Sequence, residues 1–431
     1  MTSPGLAQVA PMDRKARWLV LALLTVGVIL AYTDRINLSS ALPEIRQSFS
    51  LSPEASGILL SAFFWAYTLL QVPAGAIVDR YGLKWPYAAG LFLWSAVSAA
   101  TALVSSLNGL IAVRIALGIG ESIVTPASLR YIRDNFAEHE RGLPIGVFMS
   151  GTKYGPAIGA PIAAYLVLGF GWRWMFVLNG ALCFLWLVPW FLIVKSDGKS
   201  AKESEELSAG ETVSWAAILG SPLMWGTCIT TFCYMYFVYF CMTWMPTFFK
   251  DRYGLSLTAS GWFTFMSFGG LATVAILSGW VADRLIAGGR NAVTVRKAFT
   301  IAGFVLAFSE IFGAFSSSST VTLFLAVFSL TGLGVATANY WALTQTLTPA
   351  SAAGRVAGVQ NTAANLAGIA APWITGVLVQ KTGSFNAPLV AIGFWLAVGV
   401  GSYLFLVREK YTLREQSLDR LQPSSACKSG K

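Results

Sequence analysis

Charged residues are scarce in this chain. Of its 431 residues, only 12% are Asp, Glu, Lys or Arg, whereas 55% are hydrophobic. Soluble globular domains carry about 25% charged residues, so a soluble chain of this composition would lack polar surface. The scarcity of charge therefore excludes a soluble globular protein and predicts a polytopic, all-α membrane protein.

Residues and motifs that bind metals or perform covalent catalysis are also scarce. The chain has a single histidine, His139, in a polar loop, and its five cysteines form no CxxC pair. The motifs HExxH, GxSxG and the phosphate-binding GxxxxGK[S/T] are absent from the sequence. We therefore expect no metal site, no cofactor and no enzymatic activity, and an ATP-driven pump is excluded on the same ground.

The cleavage site of a secretory signal peptide is missing as well. The polar stretch "MTSPGLAQVAPMDRKARW" leads directly into a full-length apolar run, which predicts a retained first helix. The net charge of +10 comes without a basic run interleaved with aromatic residues. Because the loops of membrane proteins carry excess Lys and Arg on one side, we expect no nucleic-acid partner.

Apolar runs of the length needed to cross a bilayer, about 20 residues, occur twelve times. They lie at about 17–41, 56–78, 85–106, 108–131, 142–168, 172–195, 223–249, 259–282, 297–316, 319–347, 355–380 and 385–407. The longest polar gap follows the sixth run. We therefore predict two six-helix halves, a connecting loop and a tail. Their residues are 1–195 and 223–408 for the halves, 196–222 for the loop and 409–431 for the tail.

The distribution of positive charge predicts which side of the membrane each loop faces. With a cytoplasmic N-terminus, 22 of the 30 Lys and Arg residues lie on the cytoplasmic side, five lie outside and three lie within spans. This asymmetry agrees with the positive-inside rule and predicts that both termini are cytoplasmic. We expect the chain to lie in the inner (plasma) membrane as a monomer, with the lipid bilayer around it.

Two short segments recur at one offset, 204 residues. The segment "LSPEASG" at 51–57 recurs as "LSLTASG" at 255–261, and "GAIVDR" at 75–80 recurs as "GWVADR" at 279–284. Two repeats at the same offset indicate that the halves are duplicates. Two like-oriented halves around a central cavity are a common architecture of transporters.

The stretch "GAIVDRYGLK" at 75–84 resembles a known loop motif. It matches Gly-x-x-x-Asp-Arg-x-Gly-x-Lys/Arg, which lies between helices 2 and 3 of the major facilitator superfamily. The resemblance implies twelve helices in two halves that rock about a central site. It also implies that the motif holds the halves together on the cytoplasmic side in one conformational state. The gating residues implied are Gly75, Asp79, Arg80, Gly82 and Lys84, with Asp283 and Arg284 in the second copy.

Three further stretches resemble a narrower group, the anion:cation symporter family. They are "YTDRIN" at 32–37, "RIALGIGES" at 114–122 and "GVQNTAANLAGIAAP" at 358–372. That family includes proton-coupled permeases for glucarate, galactonate and hexuronates, relatives for aromatic acids and animal organic-anion carriers. The resemblance implies import of a small organic anion, above all a sugar acid, coupled to H⁺, with Arg35 as the clamp on its carboxylate.

Five ionisable residues lie within the predicted spans. They are Asp34, Arg35, Arg114, Glu121 and Lys153. A charge at that depth costs a few kcal/mol and therefore faces a cavity or a partner. The set holds three cations and two carboxylates, and the surplus positive charge suits a bound anion. The alternative is a buried ion pair that merely locks the first and fourth spans together.

Each of these residues has a predicted role. Arg35 can bind a carboxylate through two parallel hydrogen bonds, which Lys cannot do. Asp34 and Glu121 match positions that sugar-acid permeases use for protonation, and we expect Glu121 to exchange its proton with Arg114. Lys153 either binds a second carboxylate, pairs with Glu121 or extends to the membrane surface.

Neutral residues complete the predicted substrate site. The resemblance implies hydroxyl-binding roles for Tyr32, Tyr67 and Asn365. Asn361 lies one turn from Asn365, so both side chains can face the cavity. Each of these residues is equally well explained as an interhelical hydrogen bond.

A glycine pattern in the fifth span keeps a second function open. Residues 142–159 fit Gly-x8-Gly-x3-Gly-Pro-x2-Gly, which resembles a pattern of drug:proton antiporters, with Ala160 where a second Gly is usual. Close helix packing is the simpler explanation, because glycines allow helices to approach closely. The alternative function is an antiporter or exporter of an organic or aromatic carboxylate in the same fold.

Overall fold

A computed structural model describes residues 14–136, 140–195 and 213–412. Within these ranges the chain is almost entirely helical and forms no β-strand, which confirms the predicted all-α class. The helices are α1 Arg14–Phe49, α2 Pro53–Tyr81, α3 Lys84–Ala100, α4 Leu107–Glu121, α5 Val124–Asn135, α6 Gly142–Ile193, α7 Trp215–Leu219, α8 Pro222–Tyr253, α9 Leu257–Ala287, α10 Ala292–Ala307, α11 Glu310–Phe315, α12 Ser319–Thr346, α13 Ala350–Thr382 and α14 Asn386–Phe405.

The described helices provide twelve crossings of the length that a bilayer requires. Eleven helical segments are long and apolar enough, and they include the composite segments Leu107–Asn135 and Ala292–Gly313. The longest, α6, contains non-helical Gly171 (φ 82°, ψ 160°). That residue divides α6 into a first arm, 142–170, and a second arm, 172–193, which match the fifth and sixth predicted spans. The predicted end of the first span is wrong, because α1 continues through Pro43 to Phe49.

The repeated segments have a local physical role as helix starts. The hydroxyl of Ser52 accepts a hydrogen bond from Ala55 N, and Ser256 accepts one from Ala259 N at the equivalent position of the second copy. Serine is a favoured N-cap because its oxygen satisfies a backbone N–H that the helix leaves open. The recurrence of "LSPEASG" therefore begins α2 and α9 in the same way.

The glycine pattern of the fifth span packs against α1. A Cβ on Gly155 would lie 2.9 Å from Ile29 O, and one on Gly159 would lie 3.0 Å from Thr33 Cα. The hydroxyl of Thr33 donates to Gly155 O at 3.2 Å. These glycines allow two backbones to approach closely, as the packing interpretation predicts.

The two sets of helices, α1–α6 and α8–α14, meet at one end of the bundle, which we call the distal end. There Ser39 Oγ of α1 donates to Thr243 O of α8 at 3.0 Å, and Arg46 pairs with Asp251 at 2.7 Å. A Cβ on Gly57 of α2 would lie 2.6 Å from Pro372 O of α13. The distal end is therefore tightly closed.

At the opposite end, which we call the terminal end, the two sets are apart. This end carries the start of α1 and the loops after α2 and α9. Glycines near the terminal ends of α6 and α13 would meet nothing within 4 Å if they carried a Cβ; they are Gly142, Gly146, Gly354 and Gly358. The gap between the two sets therefore opens toward the terminal end. The predicted connecting loop and tail lie largely outside the described residues, so the domain boundaries stay a prediction.

Gly57→Val is expected to weaken the closure of the distal end. Its side chain would collide with the backbone of α13, and overpacking of this kind costs about 1–3 kcal/mol. The population with a separated distal end should then rise about tenfold. A cysteine introduced by Ser39→Cys, which is buried at the closed end, should react correspondingly faster with a maleimide. Gly401→Val is the matched control, because nothing lies within 4 Å of Gly401; equal reaction rates in the two variants would refute the expectation.

Candidate functional site

A buried ion pair lies between the first and fourth spans. Arg35 Nε of α1 donates to Glu121 Oε2 of α4 at 2.8 Å, and the exposed fractions of the two side chains are 4% and 0%. The ion-pair partner of Glu121 in this conformation is thus Arg35, and the predicted proton exchange between Glu121 and Arg114 stays a prediction. Arg114 and Glu121 are seven residues apart, which separates them by about 10 Å along the helix, whereas Arg35 reaches Glu121 from a neighbouring helix.

Three aromatic rings surround the guanidinium of Arg35. Its Cζ lies 4.3 Å from the ring centroid of Tyr32 and 4.5 Å from those of Phe63 and Tyr67. The rings of Phe63 and Tyr67 stack on each other at 5.1 Å. Cation–π contacts of this kind hold the guanidinium in a fixed position. Tyr32 and Tyr67, predicted as hydroxyl-binding residues, therefore contact and orient the guanidinium of Arg35; the third ring, Phe63, was not anticipated from the sequence.

The ion pair keeps free hydrogen-bonding capacity. Nη1 of Arg35 and Oε1 of Glu121 are buried and have no hydrogen-bond partner among the described residues. Most buried polar atoms in proteins are satisfied, so such atoms call for a ligand, water or proton. The arrangement can accept one further anion at the guanidinium.

Asp34 points away from Arg35 and is held by two polar side chains. Its Oδ1 accepts hydrogen bonds from Ser98 Oγ of α3 at 2.8 Å and from Asn179 Nδ2 of α6 at 2.6 Å. Its Oδ2 has no hydrogen-bond partner in the described part of the chain, and neither has Nε of Arg114. The side chains of Asp34 and Arg35 therefore face different neighbours, as expected for adjacent residues, which point about 100° apart around a helix.

The wall opposite Arg35 comes from the second set of helices. Asn361 Nδ2 of α13 donates to Gln71 Oε1 of α2 at 3.3 Å, and Asn365 Nδ2 donates to Asn361 O at 3.0 Å. The ring of Tyr239 lies 4.6 Å from that of Phe64, across the boundary between the sets. Asn361 and Asn365 thus share one face of α13, as expected, and Asn361 also joins the two sets.

Lys153 lies on the first arm of α6 and is half-buried. It forms no ion pair and no side-chain hydrogen bond with any described residue. The predicted alternative in which Lys153 pairs with Glu121 is wrong for this conformation, because Glu121 is occupied by Arg35.

The predicted gating aspartates each pair within their own set of helices. Asp79 lies 3.6 Å from Arg130 Nε and 3.9 Å from Arg133 Nη2, both on α5. Asp283 lies 2.9 Å from Arg296 Nη2 on α10. The two copies of the motif therefore form equivalent contacts. Contacts across the two sets belong to a different conformation and stay a prediction.

The other motif residues shape the same loops. Gly82 has φ 77° and ends α2, with its N–H bonded to Val78 O at 2.9 Å. A Cβ on Gly75 would meet Pro126 of α5 at 3.9 Å. Three cationic residues lie along the loops. Lys84 Nζ donates to Phe191 O at 3.4 Å. The guanidinium carbon of Arg80 lies 5.3 Å from the ring centroid of Tyr81, and that of Arg284 lies 4.3 Å from the ring centroid of Trp280.

Metal ligands do not cluster anywhere in residues 14–136, 140–195 and 213–412. His139 lies outside the described residues, and so does Cys427. A further buried carboxyl, Glu310, accepts a hydrogen bond from Ser329 Oγ at 2.6 Å. The sequence assigns Glu310 no role.

Several curated proteins are similar to this chain over nearly its full length. It is 30% identical over 419 residues to a probable L-galactonate transporter of Escherichia coli K12, covering 94% of this chain and 92% of that protein. It is 31% identical over 395 residues to a hexuronate transporter of Bacillus subtilis 168, covering 89% of this chain and 92% of that protein. A probable galactarate/D-glucarate transporter of the same organism is 30% identical over 450 residues, with 96% and 97% covered.

Solved structures share the fold. A bacterial homolog of the human lysosomal transporter Spinster, in an inward-facing and unoccupied conformation, matches with a TM-score of 0.80 at 17% identity, covering 94% of this chain and all of that chain. A D-xylose–proton symporter matches with a TM-score of 0.72 at 17% identity, covering 92% and 98%. The model of the Major Facilitator Superfamily matches residues 24–372. The chain therefore belongs to the Major Facilitator Superfamily, a family of membrane transporters, and its relatives are of the sugar-acid permease type.

Proposed function

We propose that this protein is a proton-coupled symporter that imports a small organic anion, a sugar acid, by alternating access. The observation that carries the proposal is the buried Arg35–Glu121 pair, which retains an unpartnered guanidinium nitrogen and an unpartnered carboxylate oxygen. The names of the similar galactonate, galactarate/glucarate and hexuronate transporters support the substrate class.

Coupling follows from competition for one guanidinium. Glu121 as a carboxylate occupies Arg35, whereas a proton on Glu121 removes its charge and frees Arg35 for the carboxylate of a substrate. Substrate and proton then bind together, which is the requirement for symport. Asp34 is the second proton site, and two protons carried with a monoanion make import electrogenic.

The cavity lining supports an anionic, hydroxylated substrate. Three cations, Arg35, Arg114 and Lys153, stand against two carboxylates, so the empty site carries a positive excess. The amides of Asn361 and Asn365 and the hydroxyls of Tyr32 and Tyr67 supply donors and acceptors for sugar hydroxyls. No resident cofactor is needed, because the coupling ion is H⁺.

In this proposal the terminal end faces the cytoplasm. The excess of Lys and Arg in the loops at this end supports that orientation in a bacterial inner membrane, with both termini inside. The present conformation is then inward-open. In the outward-open state the motif around Asp79 and Arg80, with its second copy at Asp283 and Arg284, holds the terminal ends together. All the residues assigned to the site lie in one chain, and we propose a functional monomer.

Purified protein in proteoliposomes with a pH dye outside tests the proposal. Aldonates, aldarates, hexuronates and small aromatic carboxylates are added one at a time. Alkalinisation of the outside with sugar acids is the expected result. If the whole panel gives no signal, and an imposed proton gradient instead drives an organic carboxylate in the opposite direction, the protein is an antiporter or exporter and the proposal fails.

Asp34→Asn is expected to abolish gradient-driven accumulation while preserving the fold. The Asn side-chain oxygen can still accept hydrogen bonds from Ser98 and Asn179, so the network around position 34 is retained, but the variant cannot carry a proton. Accumulation at an imposed pH gradient should fall to the level of equilibration. Ser98→Ala removes one hydrogen bond without removing the carboxylate and serves as the control. Full accumulation by Asp34→Asn would make Asp34 a structural anchor only.

A further inference from the structure

Lys153 lies on the side of α6 that faces the second set of helices. Residues 153, 157, 160 and 164 follow one another at helical spacing and share one face of the first arm. Ala160 and Ala164 of this face pack against Gly261 of α9, where a Cβ would lie 3.1 Å from Ala160 O. Ala157, Ala160 and Ala164 are each 1% exposed, whereas Lys153, one turn nearer the terminal end, is only half-buried. At the level of Lys153 the two sets have therefore begun to separate.

The side chain of Lys153 does not face lipid. Ile162, which is 49% exposed on the outer surface, lies nine residues away and hence about 180° around the helix. Tyr165, 71% exposed, lies on the same outer side as Ile162. Since the outer surface of the first arm is opposite Lys153, the half-buried ammonium lies at the gap between the two sets. This placement favours a position at the gap over extension of Lys153 into the lipid interface.

The ammonium of Lys153 forms no ion pair with any carboxylate in the described part of the chain. The sequence offered Glu121 as an ion-pair partner for Lys153, but Glu121 pairs with Arg35 at 2.8 Å. Asp34 is held on the far side of α1 by Ser98 and Asn179. An unpaired charge at this depth in a membrane protein marks a substrate pathway or binding site.

Lys153 and Arg35 lie at different levels along the bundle axis. Helices α1 and α6 run parallel, because Gly151, Gly155 and Gly159 contact successive turns of α1 that begin at Thr25, Ile29 and Thr33. Gly155 is level with Tyr32, Lys153 precedes Gly155 by two residues, and Arg35 follows Tyr32 by three. The two cationic residues are therefore offset by roughly 7 Å along the bundle. A sugar diacid has one carboxylate at each end of a short carbon chain, so it offers one anion to each of the two cations.

We infer that Lys153 forms a second anion-binding subsite, and that the preferred substrate is a diacid with one carboxylate on Arg35 and the other on Lys153. The inference rests on the proposed function, since it assigns the substrate class of the same cavity. A sugar diacid meets both cations, whereas the corresponding monoacid leaves Lys153 unpaired. The subsite lies nearer the terminal end than Arg35, so the diacid is held along the bundle axis.

Galactarate and galactonate form a matched pair of probes, because they share one carbon skeleton and differ in a single terminal carboxylate. Uptake of both is measured in proteoliposomes for the wild type, Lys153→Gln and Lys153→Arg. The wild type should prefer galactarate. Loss of one charged hydrogen bond should lower the galactarate-to-galactonate rate ratio about tenfold in Lys153→Gln. Lys153→Arg keeps the charge and should retain most of the preference.

Lys381→Gln is the matched control, since it removes an exposed lysine charge at the distal end of α13 and should leave the ratio unchanged. The rise in melting temperature that each acid causes in detergent compares the binding of the two acids without transport. This measurement also applies to a variant that transports poorly. An unchanged ratio in Lys153→Gln, or a wild-type preference for galactonate, overturns the subsite while sugar-acid transport stands. If the wild type moves neither acid but moves a hexuronate, the subsite is overturned and the proposed function stands; if it moves no sugar acid of the panel, both fail.

Discussion

Arg35→Lys is expected to reduce sugar-acid uptake by about a hundredfold or more. Lysine keeps the charge but cannot donate the two parallel hydrogen bonds of a guanidinium, and it lacks the planar face that Tyr32, Phe63 and Tyr67 enclose. Disruption of a buried ion pair costs roughly 3 kcal/mol or more, which corresponds to about a hundredfold or more in an equilibrium constant. The measurement is the initial rate of substrate-driven proton uptake into proteoliposomes.

The matched control for this prediction is Arg173→Lys. Arg173 is exposed and lies over the ring of Trp172 at 4.2 Å, so the change tests an arginine–aromatic contact outside the cavity. A melting temperature within a few degrees of the wild type would show that Arg35→Lys still folds. Near wild-type uptake by a folded Arg35→Lys protein would mean that Arg35 is not the clamp and that the pair with Glu121 merely fastens α1 to α4.

Glu121→Gln is expected to separate substrate movement from proton movement. Glutamine has nearly the same shape, and its oxygen can still accept the hydrogen bond from Arg35 Nε. Because the amide is neutral, the variant resembles the protonated state in which Arg35 is free for substrate. Exchange of labelled for unlabelled substrate should persist, whereas accumulation driven by a pH gradient should be lost.

Both assays use the same proteoliposomes, with exchange at equal pH on the two sides and accumulation at an imposed gradient. Glu54→Gln supplies the control, since Glu54 is exposed in the first turn of α2. Accumulation by Glu121→Gln at the wild-type level would exclude Glu121 as a coupling site. Loss of exchange together with accumulation would instead mean that the negative charge of Glu121 is needed to position Arg35.

The two variants separate the clamp from the coupling group. Arg35→Lys should impair exchange and accumulation alike, because both require bound substrate. Glu121→Gln should impair accumulation alone. This difference is specific to a site in which one guanidinium is shared by a protein carboxylate and a substrate carboxylate.

The resemblance to a known loop motif identified the residues of the gating motif but not the residues that they contact. Its residues are recognisable from "GAIVDRYGLK", and their positions at the ends of α2 and α9 follow from the helix spans. Their partners Arg130, Arg133 and Arg296 do not follow, because no spacing rule connects Asp79 with α5 or Asp283 with α10. In residues 51–57 and 255–261, by contrast, the N-cap hydrogen bond involves only neighbours within one turn, so it follows from the local sequence.

The sequence by itself determined the features that depend on local composition. The scarcity of charge and the twelve apolar runs specify the all-α membrane fold and its crossings, because each crossing needs only about 20 apolar residues. The five in-span charges are equally visible in the sequence, since a charge in an apolar run stands out without knowledge of its partners.

Only the tertiary structure decided how those charges are paired. Arg35 and Glu121 are 86 residues apart, and Asp34 and Asn179 are 145 apart. Such contacts depend on the packing and rotation of helices that are remote in the chain, so the sequence did not identify Arg35 as the partner of Glu121, and Ser98 and Asn179 were not anticipated. The same packing closes the distal end, opens the terminal end and leaves Lys153 at the gap, without an ion-pair partner among the described residues. Local periodicity specifies which face of a helix a residue occupies, but the neighbour that meets that face is decided by the assembly of the whole bundle.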